Sequence, residues 1–78
     1  MSYVYLLTSR KDGGFYIGFS KNLKSRFKEH MKGKVKATKH RRPLDLFYYE
    51  AYKDEKAARM REKQLKRFSS AYNSLLKR

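Results

Sequence analysis

The chain has no cysteine, no tryptophan, a single proline and only seven acidic residues among 78. Without cysteine, neither a disulfide framework nor a thiolate zinc site can support the fold. A chain this short buries only about 60% of the surface its unfolded form exposes, so the core has to supply the stability alone. No apolar run exceeds a few residues, which excludes a membrane-spanning helix, and the N-terminus has no apolar h-region. A cytoplasmic protein is therefore expected. No internal repeat, linker or low-complexity segment is visible, so one domain over residues 1–78 is expected.

What the chain does have is positive charge and aromatic rings. Lys and Arg number 21, giving a formal net charge of +14, and the natural partner of such a surface is a polyanion. DNA is the first candidate, with RNA also open. Solubility, ribosome association and anionic lipid binding are the other uses of such a surface. Seven Tyr and five Phe provide large apolar areas for a compact core.

Along the chain, Tyr3 to Ser9 is β-rich, Lys11-Asp12-Gly13-Gly14 is a turn signal, and Phe15 to Phe19 is a second short strand. Together they predict a hairpin. With Ser9 facing Gly14, Tyr5 falls opposite Gly18 and Leu7 opposite Tyr16, forming a tyrosine-lined face. Val4, Leu6, Phe15, Ile17 and Phe19 occupy the other, apolar face. Ser20 or Asn22 can cap a helix running to about Met31, with Leu23, Phe27 and Met31 at four-residue spacing and Arg26 and His30 on its flank. Gly33 ends it. Lys34 to Pro43 reads as a cationic loop too polar to pack. Leu44 to Tyr52 predicts a third strand, Asp54 the cap of a long helix to about Phe68, and Ser69 or Ser70 the start of a last short helix. The order β-β-α-β-α-α describes an α+β fold, a small three-stranded antiparallel sheet flanked by helices.

Glu62 stands out on the long helix. Ala58, Glu62 and Leu65 are four and three residues apart, which stacks them on one face and turns a carboxylate toward the core. In so cationic a chain, an inward carboxylate suggests a cation to hold, such as a metal ion, and hence a phosphate-processing site.

Tyr3-Val4-Tyr5, Tyr16-Ile17-Gly18, Arg26 and His30 downstream of the second motif, Glu62, and the pairs Leu65-Lys66 and Tyr72-Asn73 together resemble the GIY-YIG nuclease superfamily. The match runs through nearly the whole chain. It is closest to the small stand-alone bacterial members, whose loop before the third strand also tends to end as Arg41-Arg42-Pro43 does, and the chain is similar to the N-terminal incision domain of the bacterial excision-repair nuclease. Two positions depart from the pattern. Tyr3 replaces the glycine of the first motif, and Phe19 stands where the excision-repair members carry a lysine.

The resemblance implies a structure-selective, repair- or recombination-related endonuclease that hydrolyses DNA phosphodiesters with one divalent ion, Mg²⁺ or Mn²⁺. Glu62 would be its sole protein ligand, Arg26 would hold the scissile phosphate, and Tyr5, alone or with His30, would activate water. Tyr16 would orient the site, and Asn73 would contact substrate or brace the site. Lys36, Lys39, Arg41 and Arg42 of the loop are candidate DNA contacts. A monomer is expected, with no small-molecule cofactor and with room for an unidentified protein partner. Each side chain also has an ordinary role open to it. The tyrosines can simply pack, His30 can sit at a boundary, Arg26 can snorkel over Phe27, Glu62 can bridge to Arg59 or Lys66, and the loop can be a solvated connection. The rival function is a nucleic-acid-binding module of the same fold with little or no turnover.

Overall fold

The computed structural model describes residues 1–76. Its elements are β1 (Ser2–Ser9), β2 (Phe15–Ser20), α1 (Leu23–Met31), β3 (Leu44–Tyr52) and α2 (Glu55–Leu76), with a short 3-10 turn at Lys39–Arg41. The three strands form an antiparallel sheet in the order β2-β1-β3.

The hairpin has the expected register, Tyr5 opposite Gly18 and Leu7 opposite Tyr16. Its turn closes through Ser9 N–H to Gly14 C=O at 3.0 Å and Gly13 N–H to Ser9 C=O at 2.9 Å, with Gly13 in the left-handed region at φ +73. Asn22 caps α1 by accepting from Ser25 N–H at 3.1 Å, and Gly33, at φ +75, follows its end. Asp54 accepts from Lys56 N–H at 3.0 Å and caps α2.

Both faces of the sheet are covered. Val4, Leu6 and Ile17 pack against Ala58 of α2, with Phe15, Phe19, Tyr52 and Leu65 around them. On the other face, Tyr5, Leu7 and Leu44 meet Tyr16, Leu23, Phe27 and Leu46, so the tyrosine-lined face is also a core. The register of β3 slips between Leu6 and Leu7, leaving Phe47 as the extra residue, and its ring lies 5.8 Å from Phe15 on the α2 side.

Three expectations are corrected. The last two helices are one, because the stripe Ala58, Glu62, Leu65, Ser69, Tyr72, Leu76 keeps alternating steps of four and three without losing phase. Ser69 does not cap a new helix: its hydroxyl donates to the Lys66 carbonyl one turn back, at 3.2 Å. The buried stripe of α1 turns to His30, while Met31 is exposed. Finally, the cationic loop does pack. Val35 and Thr38 are buried, and backbone bonds from Thr38, Lys39 and Arg41 fold the segment into a tight turn.

Candidate active site

Tyr5 lies at the centre of the middle strand, and its ring crosses the strand beside it. A Cβ at Gly18 would collide with the Cζ and hydroxyl oxygen of Tyr5, so the glycine of the second motif is the space that ring occupies. From there the Tyr5 hydroxyl reaches His30 Nε2 at 2.8 Å. Four residues before His30 on α1, Arg26 faces the same hydroxyl, while its Nη1 donates to Glu29 at 3.2 Å. Tyr16 presents its ring edge-on to the imidazole, with centroids 5.3 Å apart. Tyr5 and His30 are almost completely sealed, at 1% and 0% exposure.

Burial dominates the electrostatics of this cluster. It pushes the Tyr5 hydroxyl up to about 12, against the hydrogen bonding of Arg26 and with help from Tyr16 and Glu62. It pulls His30 down to about 4, reinforced by the Arg26 charge and opposed by Glu29. At neutral pH the cluster therefore consists of a phenol, a neutral imidazole and a guanidinium.

Glu62 comes to it from α2. Glu62 is 9% exposed, as the helical spacing predicts, and its charge is felt at Tyr5. Because β2 is an edge strand, helices on opposite faces can both reach its outer rim. The bridges that were the ordinary alternative for Glu62 also form, with Arg59 at 3.4 Å and Lys66 at 3.1 Å. Arg59 additionally lies over the Phe19 ring, 3.7 Å from its centroid. Both cationic partners are more than half exposed, so these pairs are weak and exchangeable. Among the described residues no three acidic or histidine side chains gather, so Glu62 belongs to no cluster of three such donors. That donor set fits a cation that keeps most of its own water, as Mg²⁺ does.

The loop residues divide. Lys36 and Lys39 are exposed. Arg41 is turned inward, its fork on Asp12 at 2.8 and 3.3 Å and on the Phe15 carbonyl at 3.3 Å. Hydrogen bonding from Arg41 is the main reason that the Asp12 carboxyl is held at about 2. Arg42 donates to the carbonyls of Lys39 and Met31 at 3.0 and 3.3 Å, tying the loop to the end of α1. Asn73 takes the bracing role: its amide accepts from Phe15 N–H and donates to Phe15 C=O, both at 2.8 Å.

Two features had no sequence signal. The hydroxyl of Thr38, at 0% exposure, lies 2.7 Å from His30 Nδ1, behind the cluster. Nothing periodic marks that threonine in its loop. At the β3 edge, Glu50 gathers the hydroxyls of Tyr48 and Tyr52, each at 2.6 Å, and Arg61 at 3.0 Å. Burial raises the Glu50 carboxyl, but the hydrogen bonds from Arg61, Tyr48 and Tyr52 together outweigh it and hold the group at about 2.

A three-stranded sheet with a tyrosine, histidine and arginine cluster on one side and a helix-borne glutamate at its rim defines a nuclease-type fold. The chain belongs to the GIY-YIG family: residues 1–74 match the GIY-YIG catalytic domain. It is 38% identical over 68 residues to a UPF0213 protein of Staphylococcus saprophyticus, covering 86% of this chain and 82% of that one. A UPF0213 protein of Staphylococcus haemolyticus is 40% identical over the same length and shares. One from Clostridium perfringens is 37% identical over 70 residues, covering 88% of this chain and 74% of that one. No solved structure matches the chain. Among the described residues, no helix is long and apolar enough to cross a membrane.

Proposed function

We propose that this protein is a divalent-metal-dependent endonuclease that hydrolyses phosphodiester bonds in DNA, acting in the cytoplasm on the structured DNA of repair or recombination. The observation that supports this most directly is the Tyr5 hydroxyl held 2.8 Å from His30 Nε2 and facing Arg26, with the charge of Glu62 reaching the same atom. Phosphodiester hydrolysis needs a deprotonated nucleophile, positive charge against the phosphate, and stabilisation of the leaving oxygen. Arg26 holds the scissile phosphate, because its planar fork suits two oxygens at once and its present partner, Glu29, is only a surface carboxylate. Tyr5 and His30 together manage the proton of the attacking water, and Tyr16 keeps the imidazole in place. Glu62 is the residue that would hold Mg²⁺ or Mn²⁺, which when bound supplies positive charge to the phosphate and the leaving oxygen. Asn73 braces the start of β2, while Lys36 and Lys39 meet the DNA backbone.

One observation favours a second reading, a nucleic-acid-binding module with little turnover: both oxygens of Glu62 already have cationic partners, Arg59 and Lys66. One experiment separates the two. Branched, flapped and single-stranded DNA are incubated with wild type and with Glu62→Gln, with Mg²⁺ and with a chelator. Metal-dependent cleavage by wild type and none by a folded, DNA-binding Glu62→Gln is the expected result. Equal cleavage by the variant ends the assignment of Glu62. Binding without cleavage by wild type selects the module.

A further inference from the structure

The face of the sheet that carries Tyr5 is not wholly covered. Between α1 and β3 a groove of about 660 Å³ stays open. Successive helix residues turn by about 100°, so Lys24 and Lys28, each two residues from Arg26, point about 200° away from it. Arg26 faces Tyr5, and the two lysines line the groove, on the other flank of the same helix. Tyr3 and Tyr49 form an aromatic wall, with ring centroids 6.3 Å apart and planes tilted by 58°. Tyr49 is 54% exposed, and Met31, which also lines the groove, is 56% exposed. Tyr3 replaces the glycine of the first motif, so this wall is not part of the motif, and the proposed hydrolysis leaves it unused.

An open apolar groove calls for an occupant, and its charged rim selects one. Lys24 and Lys28 are exposed and join no ion pair among the described residues, whereas Lys21, also on the rim, pairs with Glu55 at 2.9 Å. A second copy of the chain would bring another net charge of +14 to this rim and is repelled. Duplex DNA supplies negative charge but keeps its base faces stacked inside. A single strand supplies both phosphates for the lysines and open base faces for the rings. Lys24 and Lys28 are one helical turn apart, roughly 5–6 Å between Cβ atoms, which lets them meet consecutive phosphates of an extended strand.

We propose that this groove is a subsite for single-stranded DNA, in which unpaired bases stack on Tyr49 and Tyr3 while Lys24 and Lys28 hold the phosphates. It rests on the proposed hydrolysis for its use, and it names the part of a branched or flapped substrate that the protein reads. The helix α1 then parts the substrate. Arg26 on one flank holds the phosphate to be cut, and the unpaired strand runs along the other flank. Stacking accepts any base, so the groove selects strand structure and not sequence.

The test is binding in the presence of a chelator, so it needs no turnover. Fluorescence anisotropy follows a labelled oligothymidine, an abasic strand of the same length and a duplex, each with wild type, Tyr49→Ala and Tyr49→Phe. Tyr49→Ala should weaken oligothymidine binding roughly 5- to 150-fold, the worth of one stacked base, and leave the abasic strand and the duplex within about 2-fold. Tyr49→Phe keeps the ring and should bind as wild type does. Lys24→Gln with Lys28→Gln should flatten the log-log salt dependence of single-strand binding by up to about 1.4, from about 0.7 for each phosphate. An equal loss on all three nucleic acids, or no loss, in Tyr49→Ala overturns the proposal. Tighter binding of oligouridine that is lost in Tyr49→Ala overturns it in favour of RNA, and dimerisation lost in the same variant overturns it in favour of a second copy. Should the alanine variant fail to fold, wild type still decides: oligothymidine must shift the ring signals of Tyr3 and Tyr49 in NMR spectra more than the abasic strand does. Failure of the nuclease reading would appear separately, as single-strand binding in the groove by a protein that cleaves no substrate.

Discussion

The two faces of the sheet are sealed equally deeply and both have apolar cores, but only one of them also encloses a chain of polar side chains. On the α2 side, Val4, Leu6, Ile17 and Ala58 are at most 6% exposed and offer no side-chain polar group to one another. On the α1 side, Tyr5, His30 and Thr38 are at most 1% exposed and are joined by two hydrogen bonds of 2.8 and 2.7 Å. An apolar layer stabilises in proportion to its area and tolerates small displacements. A buried polar chain contributes little net energy while complete, but each missing partner costs the desolvation of the other. The long helix therefore supplies most of the cohesion, and the short helix carries the geometry.

The largest expected effect lies on the α1 side. Arg26→Ala should lower turnover by about 10² to 10³, the usual cost of removing one preorganised electrostatic partner, while leaving the melting temperature nearly unchanged. Arg26→Lys should recover little, because an ammonium cannot span two phosphate oxygens. Full recovery by lysine would reduce Arg26 to a nonspecific charge. The matching change on the α2 side should behave in the opposite way. Leu6→Ala removes a side chain 6% exposed and should cost about 2–5 kcal/mol of stability with the rate per folded molecule preserved. If it slows turnover as strongly as Arg26→Ala, the two faces are not separable.

These contrasts also explain what was legible in the chain. The Tyr5 and Gly18 pairing, the Asn22 and Asp54 caps and the inward Glu62 follow from local spacing, which hairpin register and helical phase translate directly into position. The inward turn of Arg41 depends on Asp12, 29 residues away, and the Thr38 hydroxyl on His30 of the preceding helix, and a loop without periodicity carries no sign of either. The break expected at Ser69 arose from reading serine as a cap while the apolar stripe ran on beneath it, where Tyr72 packs 4.8 Å from Phe15.

A smaller effect should separate the faces by pH. The folded-state value for His30, about 4, lies below the ordinary 6.5, so between those values the unfolded chain binds a proton that the folded chain does not. Stability from this source is complete above pH 6.5 and is lost progressively as pH falls toward 4, by an amount on the order of 3 kcal/mol. Asp12 and Glu50, each held at about 2, lose their contributions as pH falls from their ordinary values of 3.8 and 4.5 toward 2, so above pH 4.5 the loss from His30 stands apart from theirs. Urea titrations across pH should show the upper window in wild type and not in His30→Gln. Its persistence in that variant would assign the loss to another group.

The smallest effects should come from the loop, where the same contrast between tied and free groups recurs within a few residues. Arg41 and Arg42 are engaged with Asp12, Phe15, Lys39 and Met31, so neutralising them changes structure as well as charge. Lys36 and Lys39 are exposed and test charge with far less structural disturbance. Each phosphate they neutralise contributes about 0.9 to the log-log dependence of duplex binding on salt, so Lys36→Gln with Lys39→Gln should flatten that slope by up to about 1.8. KM should rise and the rate at saturating substrate should hold, because neither lysine reaches Tyr5 or Arg26. Arg41→Gln should instead lower the melting temperature through the loss of its 2.8 Å pair with Asp12. An unchanged salt slope in the double lysine variant would move the DNA-facing surface to the exposed cations of α2, Arg59, Lys63, Lys66 and Arg67, placing the backbone track on the side of Glu62.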